Sequence, residues 1–421
     1  MTRFTDNTDQ NEFVAGWRVL TAAFLGIGVS LVSLSYYSSG IWIIPWQTEF
    51  GWSRTDIGGA QTISTLVLVL SAPLAGQLID RYGLRQVATL SLGLYAIGLL
   101  CISQMNGQLW LFYAIVAGYT LVGVASTPLA FTRAVNAWFS KHRGLALGIC
   151  LTSTGVAGVL LPQYLTPYVA SAGWRAGYLV LFLIVLCALP LIWRWTPNSG
   201  PINAETSKSD PPSEAVTGVS LSEALRLRSF WSIACIFLLI AVAICGLIPS
   251  FIPLLQDAGM SPAQAGGYGA VIGASVMGGR LITGLLIDRF FAPYVTAIIF
   301  TLVAAGCLSL GLGGTDYALV AGIALGLAMG AEVDLIGYFT ARYFGLTHYG
   351  LLFGFQYSVF SLGCGISPLL AGQIWDRTGS YDLALIGASA LLTVAALISL
   401  TLPKFPNLAA NATTEPRPTS A

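Results

Sequence analysis

The chain has 421 residues, of which 55% are hydrophobic and only 9% are charged, and its mean hydropathy is +0.76. A soluble domain is about 25% charged, so this composition excludes an ordinary soluble enzyme. Lys and Arg number 19 against 18 Asp and Glu, for a net charge of +1 without a basic stripe, and we therefore expect no nucleic-acid partner. The 47 glycines lie within apolar runs, as in closely packed membrane helices. The composition predicts an all-α polytopic membrane protein.

Apolar runs separated by short polar breaks predict twelve transmembrane helices, since a bilayer core of about 30 Å takes about 20 helical residues to cross. Two helix starts are well marked, because Ser53 with Asp56 and Ser261 with Gln264 form capping-box patterns. In chain order the predicted spans are 17–46, 54–79, 86–105, 109–137, 144–170, 174–195, 229–256, 262–288, 292–312, 317–341, 350–374 and 382–402.

The Lys and Arg residues between these spans predict the orientation. With the N-terminus in the cytoplasm, fifteen of the 19 lie on the cytoplasmic side, and only Arg54, Arg175 and Arg377 face outward. The remaining one, Arg280, lies inside a span. We therefore expect a multi-pass protein of the cell membrane, here a bacterial inner membrane, with both termini in the cytoplasm.

The polar stretch 196–228 divides the spans six and six. It predicts a first six-helix bundle over residues 1–195, a cytoplasmic linker over 196–228, a second bundle over 229–403 and a cytoplasmic tail over 404–421. The end of the linker, LSEALRLRSFW, is consistent with either a short amphipathic helix on the membrane surface or a solvated tether with one frayed turn.

The two halves contain an internal repeat. GQLIDRY at 76–82 aligns with GLLIDRF at 284–290, an offset of 208, and further matches follow in register. Twofold repeats of this kind are typical of transporters, in which the departures from symmetry indicate the functional site. The repeat predicts two pseudo-symmetric bundles.

The loop between spans 2 and 3 resembles the signature loop of the major facilitator superfamily. The resemblance rests on Gly76, Asp80, Arg81, Gly83 and Arg85. It implies the twelve-helix fold of that family and, on the cytoplasmic side, a gate that latches the outward-open state. The glycines allow a tight turn, and the charged residues can face a helix terminus or bridge the two halves.

Within the superfamily, four stretches are similar to the monocarboxylate porter and oxalate/formate antiporter branch. They are EFGWSR at 49–54, NAWFSKHRGLALGI at 136–149, GAEVDLIGYFTARYFG at 330–345, and the packing residues Gly365, Pro368 and Gly372. This resemblance implies a transporter of small carboxylates.

Arg280 is about 18 residues into span 8, where a charged side chain costs about 3 kcal/mol or more and therefore indicates a function. Its repeat partner is Ala72, so the symmetric packing does not require a charge. A guanidinium binds a carboxylate through two hydrogen bonds, and the branch resembled uses a span 8 arginine for this purpose. The alternative is a structural ion pair with a neighbouring span.

Span 10 supplies two acids at a similar depth, Glu332 and Asp334. They are about 200° apart around the helix, so we expect one of them to face the cavity. The polar stripe of Gly330 and Tyr338 favours Asp334, and Glu332 remains the alternative. Burial disfavours a charged carboxylate and a nearby guanidinium favours it, so protonation of the acid can depend on whether substrate occupies Arg280.

Four further residues with polar tips could hydrogen-bond a carboxylate or hydroxyl of the substrate: Tyr36, Tyr119, Tyr357 and Ser361. Their alternative role is packing, as for most aromatic residues in membrane helices. The seven cysteines are scattered singly through apolar runs and are expected to be packing residues, without a disulfide framework or metal motif. We expect no catalytic residue, no metal and no cofactor.

These observations predict a secondary transporter of small organic anions, specifically a proton-coupled monocarboxylate symporter that works by alternating access. Its partners are then a small carboxylate, protons and the lipid bilayer. A carboxylate/carboxylate antiporter and a non-transporting carboxylate sensor with the same fold are the alternatives. The sequence does not identify the anion or the oligomeric state.

Overall fold

The computed structural model describes residues 12–139, 143–197, 219–345 and 348–406. Most residues in these ranges are helical, and no strand occurs in them. The seventeen α-helices are α1 Glu12–Gly28, α2 Leu31–Phe50, α3 Arg54–Tyr82, α4 Leu84–Ser103, α5 Leu109–Gly123, α6 Pro128–Trp138, α7 Arg143–Leu160, α8 Thr166–Ala172, α9 Trp174–Trp195, α10 Leu221–Ala224, α11 Arg228–Ile244, α12 Leu247–Asp257, α13 Pro262–Arg289, α14 Ala292–Gly313, α15 Ala318–Phe344, α16 Tyr349–Thr378 and α17 Asp382–Leu400.

Eleven helical segments in the described ranges are long and apolar enough to cross a membrane. One of them, Ala292–Phe344, has 53 residues, about twice what one crossing requires. A 3₁₀ turn at Gly314–Tyr317 divides it into α14 and α15, which have 22 and 27 residues. Counting these two separately brings the eleven segments to the predicted twelve.

Several spans are interrupted near their middle. The first consists of α1 and α2, and the seventh consists of α11 and α12, which are separated by the turn at Cys245 and Gly246. In the first span, the Ser30 hydroxyl accepts a hydrogen bond from the backbone N–H of Ser33 and so starts α2 anew. Interrupted helices expose backbone groups within the membrane, where they are tolerated next to other protein segments.

Both predicted capping boxes are present. The Ser53 hydroxyl accepts from the Asp56 N–H while the Asp56 carboxylate accepts from the Ser53 N–H, and α3 begins at the next residue. Ser261 and Gln264 make the same reciprocal pair at the start of α13. Each pair satisfies N–H groups that the first helical turn would otherwise leave without partners.

The helices form two compact units. Unit 1 comprises Met1–Asn203 and Phe251–Ala274, and unit 2 comprises Ala204–Ser250 and Ser275–Ala421. The chain therefore leaves unit 2 within α12, enters unit 1, and returns to unit 2 within α13. The division into bundles at 1–195 and 229–403 stays a prediction.

Most of the predicted linker, residues 198–218, lies outside the described residues, as does most of the predicted tail. The end of the linker forms the short helix α10. The backbone N–H and hydroxyl of Ser220 pair with Glu223 at its start, and these hydrogen bonds lower the pKa of Glu223. Because Val219 N–H also donates to the Phe344 carbonyl at 2.9 Å, the linker end is attached to the end of α15.

Candidate functional site

Two glycines allow α13 and α15 to cross in unit 2 with their backbones in contact. A methyl group on Gly330 would lie 2.4 Å from the Val276 carbonyl oxygen and 2.9 Å from the backbone nitrogen of Arg280. On the other helix, a methyl group on Gly279 would lie 2.8 Å from the Leu327 carbonyl oxygen. Small residues at such crossings permit the close approach that membrane helices use for association. The crossing brings Arg280 beside the acids of α15.

Arg280 interacts electrostatically with both Glu332 and Asp334, as predicted from their similar depth. Glu332 is only 5% exposed, whereas Asp334 is exposed. The described residues provide no salt bridge to Arg280, and they leave its buried Nε atom and the Glu332 Oε2 atom without hydrogen-bond partners. Buried polar groups are almost always hydrogen-bonded, so each unsatisfied atom at this position calls for an explanation.

Tyr357 and Ser361 on α16 belong to the same group of side chains. Tyr357 is 37% exposed and interacts electrostatically with Glu332. The Ser361 hydroxyl donates to the Tyr357 carbonyl at 2.8 Å, so its proton is already used within the helix. Unit 2 thus brings together Arg280, Glu332, Asp334, Tyr357 and Ser361, which we call the Arg280 group.

The other two predicted lining residues, Tyr36 and Tyr119, belong to unit 1. Tyr119 packs edge-on against Tyr95, with ring centroids 5.6 Å apart, and the Tyr95 hydroxyl lies 2.9 Å from the Ser35 hydroxyl. Tyr36 packs edge-on against Tyr37 at 5.7 Å. Both predicted residues therefore take part in aromatic packing within unit 1.

The predicted gate loop forms the tight turn between α3 and α4. Gly83 has a φ of 87°, a conformation that L side chains rarely adopt, and its N–H donates to the Ile79 carbonyl. Gly76 has no heavy atom within 4 Å of the position that a Cβ would occupy. Asp80 lies in α3, but its side chain is outside the described part of the structure.

The two arginines of this loop contact aromatic rings in unit 1. The Arg81 guanidinium lies 5.3 Å from the ring of Tyr82, and that of Arg85 lies 4.4 Å from the ring of Trp193 on α9. A guanidinium over an aromatic face is attracted by the ring quadrupole. These contacts anchor the arginines to their own unit.

A buried ion pair in unit 1 was not predicted. Arg54, at the start of α3, is 3% exposed and donates to the Asp257 carboxylate at 2.7 Å and to the Gln47 side chain at 2.9 Å. Sequence reasoning identified Arg54 only as an outward-facing charge within EFGWSR. Because Asp257 is 203 residues away in the chain, local spacing contains no signal for this pair.

Glycines bring the first half of α13 against the end of α7 and the turn that follows it. A methyl group on Gly273 would lie 2.2 Å from the Gly158 carbonyl carbon, and one on Gly266 would lie 2.3 Å from the Pro162 carbonyl oxygen. Pro162 lies in a π-helical turn, Leu161–Leu165, which separates α7 from α8. These contacts explain why Phe251–Ala274 belongs to unit 1.

The described residues form twelve helical spans, and the Arg280 group places charged residues inside the spans of unit 2. Residues 23–368 match the family model described as Major Facilitator Superfamily. The chain therefore belongs to the major facilitator superfamily, whose members are transporters and not enzymes.

Two similar proteins agree with the predicted branch. Monocarboxylate transporter 11 of Homo sapiens is 26% identical over 411 residues, which cover 92% of this chain and 83% of that protein. The 3-(3-hydroxy-phenyl)propionate transporter of Escherichia coli (strain K12) is 24% identical over 349 residues, which cover 81% and 83% of the two chains. The chain is thus a major facilitator transporter similar to the monocarboxylate branch.

Solved structures confirm the fold. A POT family transporter in complex with 5-aminolevulinic acid has a TM-score of 0.72 at 11% identity, covering 91% of this chain and 95% of that one. A bacterial homologue of the human lysosomal transporter Spinster, in an inward-facing and occupied conformation, has a TM-score of 0.68 at 15% identity, with 92% and 96% covered. At these identities the likeness extends to the fold alone.

Proposed function

We propose that this protein is a proton-coupled symporter of small monocarboxylates in a bacterial inner membrane, with both termini in the cytoplasm. The observation that carries the proposal is the Arg280 group, in which a guanidinium nitrogen and a carboxylate oxygen are buried without hydrogen-bond partners in the described part of unit 2. Transport then proceeds by alternating access, with the loop from Gly76 to Arg85 as the cytoplasmic gate.

A carboxylate is the ligand that best completes Arg280. The planar guanidinium matches a carboxylate through two parallel charge-assisted hydrogen bonds, which an ammonium or a single hydroxyl cannot reproduce. Tyr357 adds a partly exposed phenol in the same group. The names of two similar proteins, a monocarboxylate transporter and a 3-(3-hydroxy-phenyl)propionate transporter, also indicate a substrate with one carboxylate.

The coupled proton is assigned to the acids of α15. When the anion binds Arg280, it neutralises the positive charge that favours ionised Glu332 and Asp334. Without that positive charge, an ionised carboxylate is less favourable at the buried Glu332 than at the exposed Asp334. Glu332 is therefore the stronger candidate for taking up a proton together with substrate, whereas the helical pattern favoured Asp334 as the acid that faces the cavity.

A thermal-shift screen of carboxylates on the purified full-length chain tests the substrate class, because a ligand that binds the folded state raises its apparent stability. The screen should include lactate-like, oxalate-like and aromatic carboxylates, with the corresponding amides as uncharged controls. We expect a stabilising monocarboxylate whose amide has no effect. Stabilisation by the amide as well would contradict carboxylate recognition at Arg280.

Proteoliposomes then separate the mechanisms. A symporter accumulates the stabilising anion when an inward proton gradient is imposed. A carboxylate antiporter exchanges labelled anion but does not respond to that gradient, and a sensor binds the anion without counterflow. Either of the last two results would overturn proton symport.

A further inference from the structure

Two cysteine side chains meet where α11 packs against α16 in unit 2. Cys245 directly follows α11, Cys364 lies in the middle of α16, and their Sγ atoms are 2.6 Å apart. The residues are 119 positions apart in the chain, and neither is part of a disulfide in the structure. Sequence spacing indicated isolated packing residues, but the fold creates a dithiol pair.

The backbone on both sides holds the two thiols in place. On one side, a methyl group on Gly363 would lie 2.6 Å from the Ala241 Cβ. On the other, the Ser367 hydroxyl accepts from the Gly246 N–H at 2.7 Å and donates to the Val242 carbonyl at 2.6 Å. A disulfide bond is about 2.0 Å long, so the sulfur atoms need to approach by only about half an ångström.

The dithiol lies beside the Arg280 group. Tyr357 interacts electrostatically with both cysteines and with Glu332. Cys364 is half-buried and Cys245 is buried, so a small oxidant that enters through the exposed face of Tyr357 reaches Cys364 first. The described residues contain no group of three or more His, Cys, Asp or Glu side chains suited to a metal.

We propose that Cys245 and Cys364 are a redox modification site, whose disulfide restrains the junction between α11 and α12 and slows transport. With hydrogen peroxide as oxidant, the Cys364 thiolate attacks one peroxide oxygen, the O–O bond breaks, and hydroxide leaves. The Cys245 sulfur then attacks the resulting sulfenic acid, forming the S–S bond and releasing water. In total two thiols are oxidised and one peroxide is reduced to two waters, after protonation of the hydroxide.

The Cys245–Cys364 disulfide would form at a turn where the seventh span can bend. Cys245 and Gly246 form the turn that interrupts the seventh span, and Ser250 is the last residue before the chain passes into unit 1. Interrupted helices are where transporter spans can bend. A disulfide to α16 adds a covalent restraint at this turn.

Peptide mapping of the full-length protein under non-reducing conditions, after treatment with hydrogen peroxide, tests the site. We expect a linked peptide containing Cys245 and Cys364, which dithiothreitol separates and which Cys245→Ser and Cys364→Ser both abolish. Cys307→Ser is the matched control, because Cys307 is buried like Cys245 but lies on α14, and it should leave the linked peptide unchanged. Absence of the linked peptide would overturn the proposal.

Hydrogen exchange and transport test the restraint. Amides of residues 246–250 should exchange at least about fivefold more slowly in the disulfide form, since local opening at the turn becomes less favourable. Uptake by the same protein should fall and recover with dithiothreitol. Unchanged exchange, or unchanged uptake with the disulfide formed, would overturn the regulatory role. Peptide mapping and hydrogen exchange require no substrate. Both therefore test the disulfide even if the protein does not transport carboxylates.

Discussion

Arg54 and Arg280 both lie among helices, and their surroundings differ. Arg54 in unit 1 is paired with Asp257 at 2.7 Å and with Gln47 at 2.9 Å. Arg280 in unit 2 has two acids within electrostatic range but no salt bridge to any described residue, and its Nε atom lacks a partner there. The first guanidinium is held by an ion pair within its own unit, whereas the second has acids nearby but no ion pair with a described residue.

This difference separates structural charges from a ligand site. Breaking a buried ion pair costs stability, because it leaves a buried charge without its partner. Buried polar atoms without hydrogen-bond partners destabilise the unliganded protein. A complementary anion that binds them supplies the missing hydrogen bonds, and this favours binding. We therefore expect variants of Arg54 to change stability and variants of Arg280 to change binding.

The largest effect should follow Arg280→Ala. Two charge-assisted hydrogen bonds contribute about 1.5–3 kcal/mol each, so affinity for the anion should fall at least about 100-fold. Arg280→Lys should not restore it, because an ammonium lacks the planar pair of donors. Isothermal titration with the anion found by the thermal-shift screen measures this. An unchanged affinity together with a lower unfolding temperature would instead make Arg280 a structural residue like Arg54.

The next largest effect should follow Arg54→Ala, this time on stability. Removing one partner of a buried ion pair costs about 3–5 kcal/mol, and since 34% of the Asp257 side chain is exposed we expect about 2 kcal/mol. Denaturant unfolding in detergent measures the loss. Anion affinity should stay within a few-fold.

Arg175→Ala is the matched control for this stability effect. Arg175 also pairs with an acid, Glu49, at 2.6 Å, but both side chains are more than a third exposed. An exposed pair contributes about 0–1 kcal/mol. Equal losses of stability in the two variants would mean that burial of the Arg54 pair is not what matters.

A smaller effect should follow Glu332→Gln. A neutral amide cannot take up the proton, so accumulation driven by a gradient of one pH unit, at most about tenfold for one proton per anion, should disappear. Exchange of labelled anion requires no net proton movement and should persist. Asp334→Asn is the control on the same helix. If it alone abolishes accumulation, the proton belongs to Asp334, and if neither variant does, anion antiport becomes the better account.

The sequence predicted Arg280 and its neighbouring acids but did not predict the Arg54–Asp257 pair, for physical reasons. Span positions, capping boxes and the place of Arg280 inside a span are local properties, which hydropathy and short motifs express directly. Depth along parallel spans also placed Glu332 and Asp334 near Arg280. The Arg54–Asp257 pair and the Cys245–Cys364 pair depend on which helix faces meet, over separations of 203 and 119 residues. No local pattern contains that information.

The smallest effect tests whether the helix crossing positions Arg280. A methyl group in Gly330→Ala would lie 2.4 Å from the Val276 carbonyl oxygen, so α13 and α15 must move apart. Overpacking costs about 1–3 kcal/mol, and at the low end of this range anion affinity should fall about fivefold. Gly278→Ala is the control, because Gly278 is rotated by about 100° around α13 from Gly279 on the crossing face, with nothing within 4 Å of the new methyl group. Its affinity should be unchanged, since alanine there only favours the helix. If both variants bind the anion as the parent does, the close crossing is dispensable, and Arg280 is positioned by its own helix alone.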